Sequence, residues 1–313
     1  GVDSMSNIPV CWSKSLAEKL WNMTKAKGYL AKLAAGLAFR PKDFRPRIGI
    51  QLGLTDPVVD MMMGDTAEVL ARELNISREE QDAFAMQSHQ RAAAAWESGR
   101  LQDETMTVYP ENEDPITEDD GVRADQNMKA LGKLKPYFDR KWGSITIGNS
   151  CQVTDGAAAV LVMDSDLAAE HGLEPLGRIR SFAYAGCDPK RMGLGPVRAS
   201  AEALAESGLR LGEMDIIEIN EAFAAQALAC VRAFDAPPKD CDVDRLGEVD
   251  EKKLNVNGGA IALGHPVGAT GARLVLTTLR ELKRRDQQFG LATLCVGGGQ
   301  GGAVVLERGG RAA

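Results

Sequence analysis

The sequence predicts an α/β fold, and three observations carry that expectation. Strand-like apolar runs alternate with helix-period segments through the second half of the chain. No apolar run reaches the roughly 18 residues of a membrane span. The composition is that of an ordinary globular protein, with 313 residues, 44% of them hydrophobic, and 33 glycines. That length allows two or three domains with their own cores. The net charge of −7 comes without a single-sign block, so the chain reads as having no nucleic-acid partner.

The elements follow in order. "GVDSMSNIPV" offers no initiator Met, no cap and no strand pattern. Residues 15–38 place apolar side chains at 16, 20, 23, 30, 33, 34 and 37, with Lys19, Lys25 and Lys32 on other faces. That spacing predicts an amphipathic helix. "RPKDFRPR" breaks it with prolines. Residues 65–99 read as helix again, with a capping box at Ser77 and Glu80 and a stop at Gly99. Residues 100–140 are polar and irregular. "AAAVLVMD" (157–164) predicts a buried strand, followed by a short helix in "SDLAAEHG".

From there the alternation is regular. "GRIRSFAYAG" predicts a strand. "PVRASAEALAESG" predicts a helix with proline in its first turn. "MDIIEIN" is a strand and "EAFAAQALACVRAF" a helix. "KLNVNGG" is a strand. "GATGARLVLTTLRELKRR" is a helix whose basic last turn suits the dipole. Two strands close the chain. The glycine run "GGGQGG" precedes a strand rather than a helix N-terminus, so it is no dinucleotide-binding fingerprint.

Six cysteines stand at 11, 151, 187, 230, 241 and 295, with no C-x-x-C pair. A structural zinc site is therefore not expected. The irregular spacing suits a reducing compartment and a cytoplasmic location. Of the three histidines, His89 and His171 lie on predicted helices among charged neighbours and read as surface residues. Cys230 falls on an alanine-rich helix face and reads as core.

Three segments each follow an apolar run with a reactive or polar group: "NEAF" with Asn220, "GHP" with His265 and "CVG" with Cys295. Carboxyl ends of strands are where α/β sheets bind ligands. A thiol, an imidazole and a carboxamide converging there suit acyl chemistry. Each also has an ordinary reading: Cys295 as a small buried hydrophobe, His265 as a satisfied structural histidine, Asn220 as a cap for a helix beginning at Glu221.

Taken together, "NEAFAAQ", "NVNGGAIALGHPVGATGARL" and "LCVGGGQGG" resemble the thiolases, the acetyl-CoA C-acyltransferases. "GNSCQVTDGAAA", "DPKRMGLGP" and "LTDPVVDMMMGDTAE" look like further thiolase segments. The resemblance runs from Gly1 to the last strand. It implies a five-layered α-β-α-β-α fold with a loop domain inserted in the first half. Residues 1–24 would end the first half, 25–153 form the loop domain, 154–176 return to the first half and 177–313 make the second half. It further implies a homodimer or tetramer.

The resemblance also implies roles. A nucleophilic cysteine takes the acyl group from an acyl-CoA, and His265 activates that thiol. Cys295 is the acid/base at the substrate α-carbon, provided its environment lowers its pKa toward neutrality. Asn220 holds a water that completes an oxyanion hole with His265, and the Gly297 N–H serves a second one. Arg123 matches an arginine near the nucleotide end of CoA. Leu54, Met63, Phe138, Met192 and Phe223 match acyl or pantetheine contacts. Two family serines near pantetheine are here Ala130 and Cys151. CoA and acyl-CoA would be substrates, with no permanent cofactor. Met62, at a position often histidine in biosynthetic members, tilts the reading toward a general 3-ketoacyl-CoA thiolase.

One departure bears on activity. Thiolases carry their nucleophile in a C-x-S-G segment of the first half, and the chain has none. The expectation is that about a hundred upstream residues, most of a domain half, are missing, and that these 313 residues alone are inactive. The alternatives are an inert fragment, a thiolase-like lipid- or CoA-binding protein, or a β-subunit scaffold of a fatty-acid oxidation complex. The apolar face of residues 15–38 is expected to pack on the loop domain; the alternative is that it docks to a hydratase/dehydrogenase chain or a membrane surface.

Overall fold

A computed structural model of the chain describes residues 1–112 and 114–309. Two short strands, β1 (Val2–Ser4) and β2 (Val10–Cys11), come first, where the sequence offered no strand pattern. The expected helix over 15–38 is two helices, α1 (Lys14–Lys25) and α2 (Tyr29–Leu37). Gly28, at φ +86°, ends the continuity between them. Ser13 caps α1 by accepting the Leu16 N–H at 3.2 Å. Only Leu16 of the two helices is buried. Leu30 and Leu37 are each 78% exposed, forgoing the roughly 2 kcal/mol that burying a leucine contributes.

Next come β3 (Arg47–Ile48), α3 (Gly49–Gly53), α4 (Met63–Glu73) and α5 (Arg78–Glu97). The helical stretch expected from 65 to 99 is broken at Asn75, whose φ is +51°, and restarts at the capping box. Ser77 Oγ accepts the Glu80 N–H at 3.2 Å while Glu80 accepts the Ser77 N–H at 2.7 Å. The short α6 (Met128–Leu131) interrupts the polar region.

The strand expected over 157–164 is corrected. Only β4 (Asp155–Ala157) forms, antiparallel to β1, and Val160, Leu161 and Val162 are exposed. Pairing stops where the Gly1 carbonyl accepts the Ala158 N–H. β-branched composition makes no strand without a neighbour to pair with. The expected short helix follows as α7 (Ser165–Glu170), capped by Asp164.

The central sheet holds β5 (Gly177–Gly186), β6 (Ile216–Ile219), β7 (Phe289–Val296) and β8 (Gln300–Arg308). Its order is β5-β8-β7-β6, with β6 parallel to β7 and the other pairs antiparallel. Helix α8 (Gly195–Ser207), stopped by Gly208 at φ +72°, covers one face. There Ile217, Ile219, Leu291, Cys295, Ala303 and Val305 join one core, together with α9 (Ala224–Asp235). After the one-turn α10 (Ala260–Leu263), helix α11 (Val267–Arg285) covers the other face over Ile216, Ala292 and Leu306. Period-two alternation thus sends neighbouring residues into two cores, and Cys295 points to the α8/α9 side.

The strand expected over 253–259 shrinks to an isolated bridge: Leu254 pairs in parallel with Ile217 of β6, the Ile217 N–H donating to the Lys253 carbonyl at 2.8 Å and the Asn255 N–H to the Ile217 carbonyl at 2.9 Å. Asn255, at φ +43°, also lays its side chain against β6. Its Oδ1 accepts the Ile219 N–H at 2.9 Å and its Nδ2 donates to the Ile219 carbonyl at 2.9 Å. A carboxamide mimics a backbone edge and turns the chain at once.

Candidate active site

Asn220 directly follows β6, and its N–H donates to the Thr293 carbonyl of β7 at 3.0 Å. It caps nothing: the next helix begins at Ala224. Its Nδ2 lies 3.3 Å from His265 Nε2. His265 Nδ1 lies 2.6 Å from Thr270 Oγ1, and that hydroxyl donates to the Pro266 carbonyl at 3.0 Å. Asn220 Nδ2 can only donate, which assigns the lone pair to Nε2 and the proton to Nδ1, with the Thr270 hydroxyl accepting from it. The His265 N–H is in turn held by Thr154 Oγ1 at 3.2 Å. Burial pushes the imidazole down to about 4, Arg273 adds to this and Asp3 opposes it. His265 is therefore a neutral base at physiological pH. Asn220 Oδ1 is buried and meets no partner among the described residues, an acceptor suited to a water beside the imidazole.

Cys295 is the last buried residue of β7, at 7% exposure. Burial pushes its thiol up to about 12, with Cys151 and Cys187 as further raising neighbours. The expectation of a lowered pKa is thus corrected: Cys295 is a protonated thiol. The same holds across the core, where burial raises Cys151 to about 12, Cys187 to about 11, and Cys230 and Cys241 upward. After Cys295 the chain turns through Gly298 and Gly299 at φ +85° and +77°, angles that favour glycine.

The residues matched to acyl and pantetheine contacts gather near this turn. Met63 opens α4 against Gly297, whose added Cβ would stand 3.1 Å from the methionine methyl. Met63 N–H donates to the Leu54 carbonyl at 2.9 Å. Phe138 and Phe223 meet edge to face at 5.9 Å; Phe223 and Met192 belong to the core that holds Cys295, and Phe138 packs against it. Cys151 donates its N–H to the Ala222 carbonyl at 3.0 Å, beside Asn220 and Phe223 in sequence.

Arg123 lines a cavity of about 130 Å³ with Ala130, Ser150, Gln152 and His89, and His265 and Asn220 are not among its lining residues. His89 is corrected from surface to core: it is 3% exposed. Its Nδ1 accepts the Arg123 N–H at 3.2 Å, and burial pushes it down to about 4. His171 is exposed as expected, and Cys230 is fully buried.

Sequence reasoning missed Thr270, Thr154, Glu221 and Asn255. Glu221 is buried and accepts from Ser88 at 2.6 Å, Asn255 at 2.7 Å and the Ile261 N–H at 3.2 Å. It thereby fixes the segment after Asn220 to the turn that leads to His265. The signal for Thr270 was in "HPVGAT": a threonine four residues after Pro266 shares the first helical turn.

Comparison with known proteins follows the same lines. The family model described as thiolase, N-terminal domain, matches residues 1–166, and that of the thiolase C-terminal domain matches 173–308. A 3-ketoacyl-CoA thiolase of Pectobacterium carotovorum is 46% identical over 98% of this chain and 71% of its own length. One from Escherichia coli O1:K1 is 44% identical with the same coverage. The acetyl-CoA acetyltransferase structure of Bacillus anthracis aligns with TM-score 0.83 at 38% identity, over 98% of this chain and 70% of that one. Human mitochondrial 3-ketoacyl-CoA thiolase in complex with CoA aligns with TM-score 0.83 at 36% identity, over 99% and 70%.

Proposed function

This chain belongs to the thiolase family, and on that premise we propose that it carries the acid/base and oxyanion groups of a 3-ketoacyl-CoA thiolase. The reaction is thiolysis of a 3-ketoacyl-CoA by CoA, or its reverse condensation, through a cysteine acyl-enzyme. The observation that carries this reading is the Asn220–His265–Thr270 relay, tied to β7 by the Asn220 N–H on the Thr293 carbonyl. A neutral imidazole whose Nε2 carries the lone pair, held at present only by the 3.3 Å contact with Asn220 Nδ2, can accept the proton of a nucleophilic cysteine.

The roles follow from where each proton sits. His265 takes the nucleophile's proton on Nε2. Asn220 Oδ1 holds a water that faces the acyl oxygen together with His265. The Gly297 N–H faces the second acyl oxygen. Cys295, held as a thiol, donates its proton to the α-carbon of the leaving acetyl group, which suits the thiolytic direction. Burial holds the thiols at 151, 187, 230, 241 and 295 protonated, Cys11 lies in "PVCWSKS", and none of the six stands in the C-x-S-G segment that carries the family's nucleophile, so none of them is assigned that role. Arg123 would face the nucleotide end of CoA, and Leu54, Met63, Phe138, Met192, Phe223 and Cys151 its acyl and pantetheine parts. The five-layered arrangement, the domain limits at 24, 153 and 176, a homodimeric or tetrameric state and a cytoplasmic location belong to the same reading.

The test is thiolysis of 3-ketoacyl-CoA substrates of several chain lengths by the full-length gene product. Turnover that falls on the order of a hundredfold in His265→Ala is expected. Parental turnover in that variant overturns the assignment.

A second reading is supported by the apolar side chains left open on α1 and α2, among them Trp21, Leu30 and Leu37. There the chain is the β-subunit of a fatty-acid oxidation assembly, docked through residues 15–38. Among the described residues no helix is long and apolar enough to cross a membrane.

A further inference from the structure

Asp56 is fully buried, and its carboxylate is held by backbone N–H groups. Oδ1 accepts from Val58 at 2.7 Å and from Val59 at 3.3 Å. Oδ2 accepts from Gly298 at 2.8 Å, 242 residues further along the chain. These bonds, led by that of Val58, hold the carboxyl below its ordinary range against the opposing effect of burial. A carboxylate with no exposed surface is costly unless hydrogen bonds satisfy it. Val58 and Val59 alone make a local turn that a serine or asparagine supplies at less cost. The bond that reaches across the molecule lands on the glycine turn after Cys295.

That turn needs external ties. Three consecutive glycines, 297 to 299, have the greatest backbone freedom of any tripeptide. The far side is tied by Cys187, whose N–H donates to the Gly299 carbonyl at 2.7 Å. The near side is tied by Asp56 at Gly298. Fixing the Gly297–Gly298 peptide plane limits the rotation available to Gly297, whose own N–H is the group assigned to the acyl oxygen.

Asp56 also belongs to the loop that carries two of the acyl contacts. Leu54 and Met63 close that loop through the bond between the Met63 N–H and the Leu54 carbonyl, at 2.9 Å. Inside it, the Asp56 N–H donates to the Met61 carbonyl at 2.8 Å, and Thr55 pairs with Met62. Met63 in turn sits against Gly297. The same loop therefore grips the glycine turn twice, by a carboxylate at Gly298 and by a thioether at Gly297.

We propose that Asp56 is a positioning residue for the oxyanion turn, holding the Gly298 N–H so that the Gly297 N–H and the Leu54–Met63 acyl loop stay in register. This rests on the thiolase reading given above and adds a residue to it. Hydrogen bonds to an oxyanion lose most of their effect when the donor moves by about 1 Å, a displacement worth on the order of a hundredfold in rate.

The test uses the full-length gene product with Asp56→Ala and Asp56→Asn, and Asp43→Ala as a control for loss of a buried loop carboxylate elsewhere. Asp56→Ala is expected to lower kcat for thiolysis about a hundredfold, with KM for CoA changed less than about threefold. Amide exchange across 296–300 should quicken in the same variant. Asp56→Asn, which keeps one acceptor oxygen, should recover part of kcat. Asp43→Ala should lower Tm and leave kcat unchanged. If Asp56→Ala does not fold, Asp56→Asn decides by the same split. Parental kcat in a folded Asp56 variant overturns the proposal and leaves the thiolase reading standing. Absence of turnover in the parent overturns the thiolase reading, and exchange across 296–300 then decides the tie alone: unchanged exchange in Asp56→Ala refutes it.

Discussion

His265 Nδ1 and Thr270 Oγ1 stand 2.6 Å apart, and the threonine hydroxyl donates onward to the Pro266 carbonyl. The pair fixes one tautomer of the imidazole and aims its Nε2 lone pair toward Asn220. Thr270 is itself buried at 1% exposure, so no solvent can replace it. Thr270→Val keeps the shape but leaves the Nδ1–H without an acceptor, at a cost of roughly 1–3 kcal/mol. A lower Tm and a kcat reduced on the order of tenfold are expected, with Thr270→Ser restoring both. Steady-state thiolysis and thermal melts check this. A Thr270→Val protein with parental kcat would mean that the tautomer is set elsewhere.

Burial holds both His89 and His265 down to about 4 from an ordinary 6.5. Between those values the unfolded chain binds more protons at these sites than the folded one. Their contribution to stability is therefore complete above about 6.5 and is lost as pH falls toward 4. Glu218, which burial pushes up to about 8, works the other way: it takes up its proton early in the folded state. The clean measurement is a difference. Urea midpoints of the parent and of His89→Gln should converge, or cross in favour of the variant, as pH falls from 7 to 5. A constant difference would contradict the buried, neutral His89.

The site was legible where chemistry followed an apolar run. Asn220 and Cys295 each close a strand buried on both faces, so the sequence pattern located them directly. His265 was found for a different reason from the one the pattern suggested. The run before it is not a strand but the Asn255 turn and the single turn of α10. A carboxamide standing in for a strand edge looks like a strand residue in one dimension. The exposed 158–164 segment failed for the complementary reason: Val160, Leu161 and Val162 have strand composition, but pairing stops at Ala158. His89 was misread because charged sequence neighbours say little about which face of a 20-residue helix is covered. Its tertiary partner, Arg123, is 34 residues away. Thiol protonation was illegible altogether, since burial of Cys295 is a property of the packed sheet.

Residues 15–38 were expected to pack against the loop domain or to dock elsewhere, and all but Leu16 of their large apolar side chains stand open. Lys25 stands over the Trp21 ring at 4.8 Å, whereas Lys19 is tied to the buried Asp43 at 2.6 Å. Lys25 and Lys32 are thus the cations to vary, because changing Lys19 also breaks a structural pair. Co-sedimentation with anionic liposomes is expected at low salt, to weaken as salt screens it, and to be lost in Lys25→Glu/Lys32→Glu. No sedimentation at low salt would exclude the membrane and leave a partner chain as the occupant.

Cys295 separates the two half-reactions. Its thiol, pushed up to about 12 by burial, is a poor base at rest and a ready donor to a carbanion formed beside it. Thiolytic cleavage of the Cα–Cβ bond leaves an electron pair on the acetyl α-carbon, and the Cys295 proton neutralises it. Condensation runs the same transfer backwards and needs the thiolate, which burial disfavours. Acyl transfer from an acyl-CoA to the nucleophile moves no α-proton and should not need Cys295. Cys295→Ala is therefore expected to abolish condensation while labelled acyl-CoA still forms an acyl-enzyme. Alkylation tests the premise independently: the exposed Cys11 should react with iodoacetamide at least about tenfold faster than buried Cys295 near pH 8. A Cys295→Ala enzyme that condenses acetyl-CoA at the parental rate would remove the thiol from the α-carbon step.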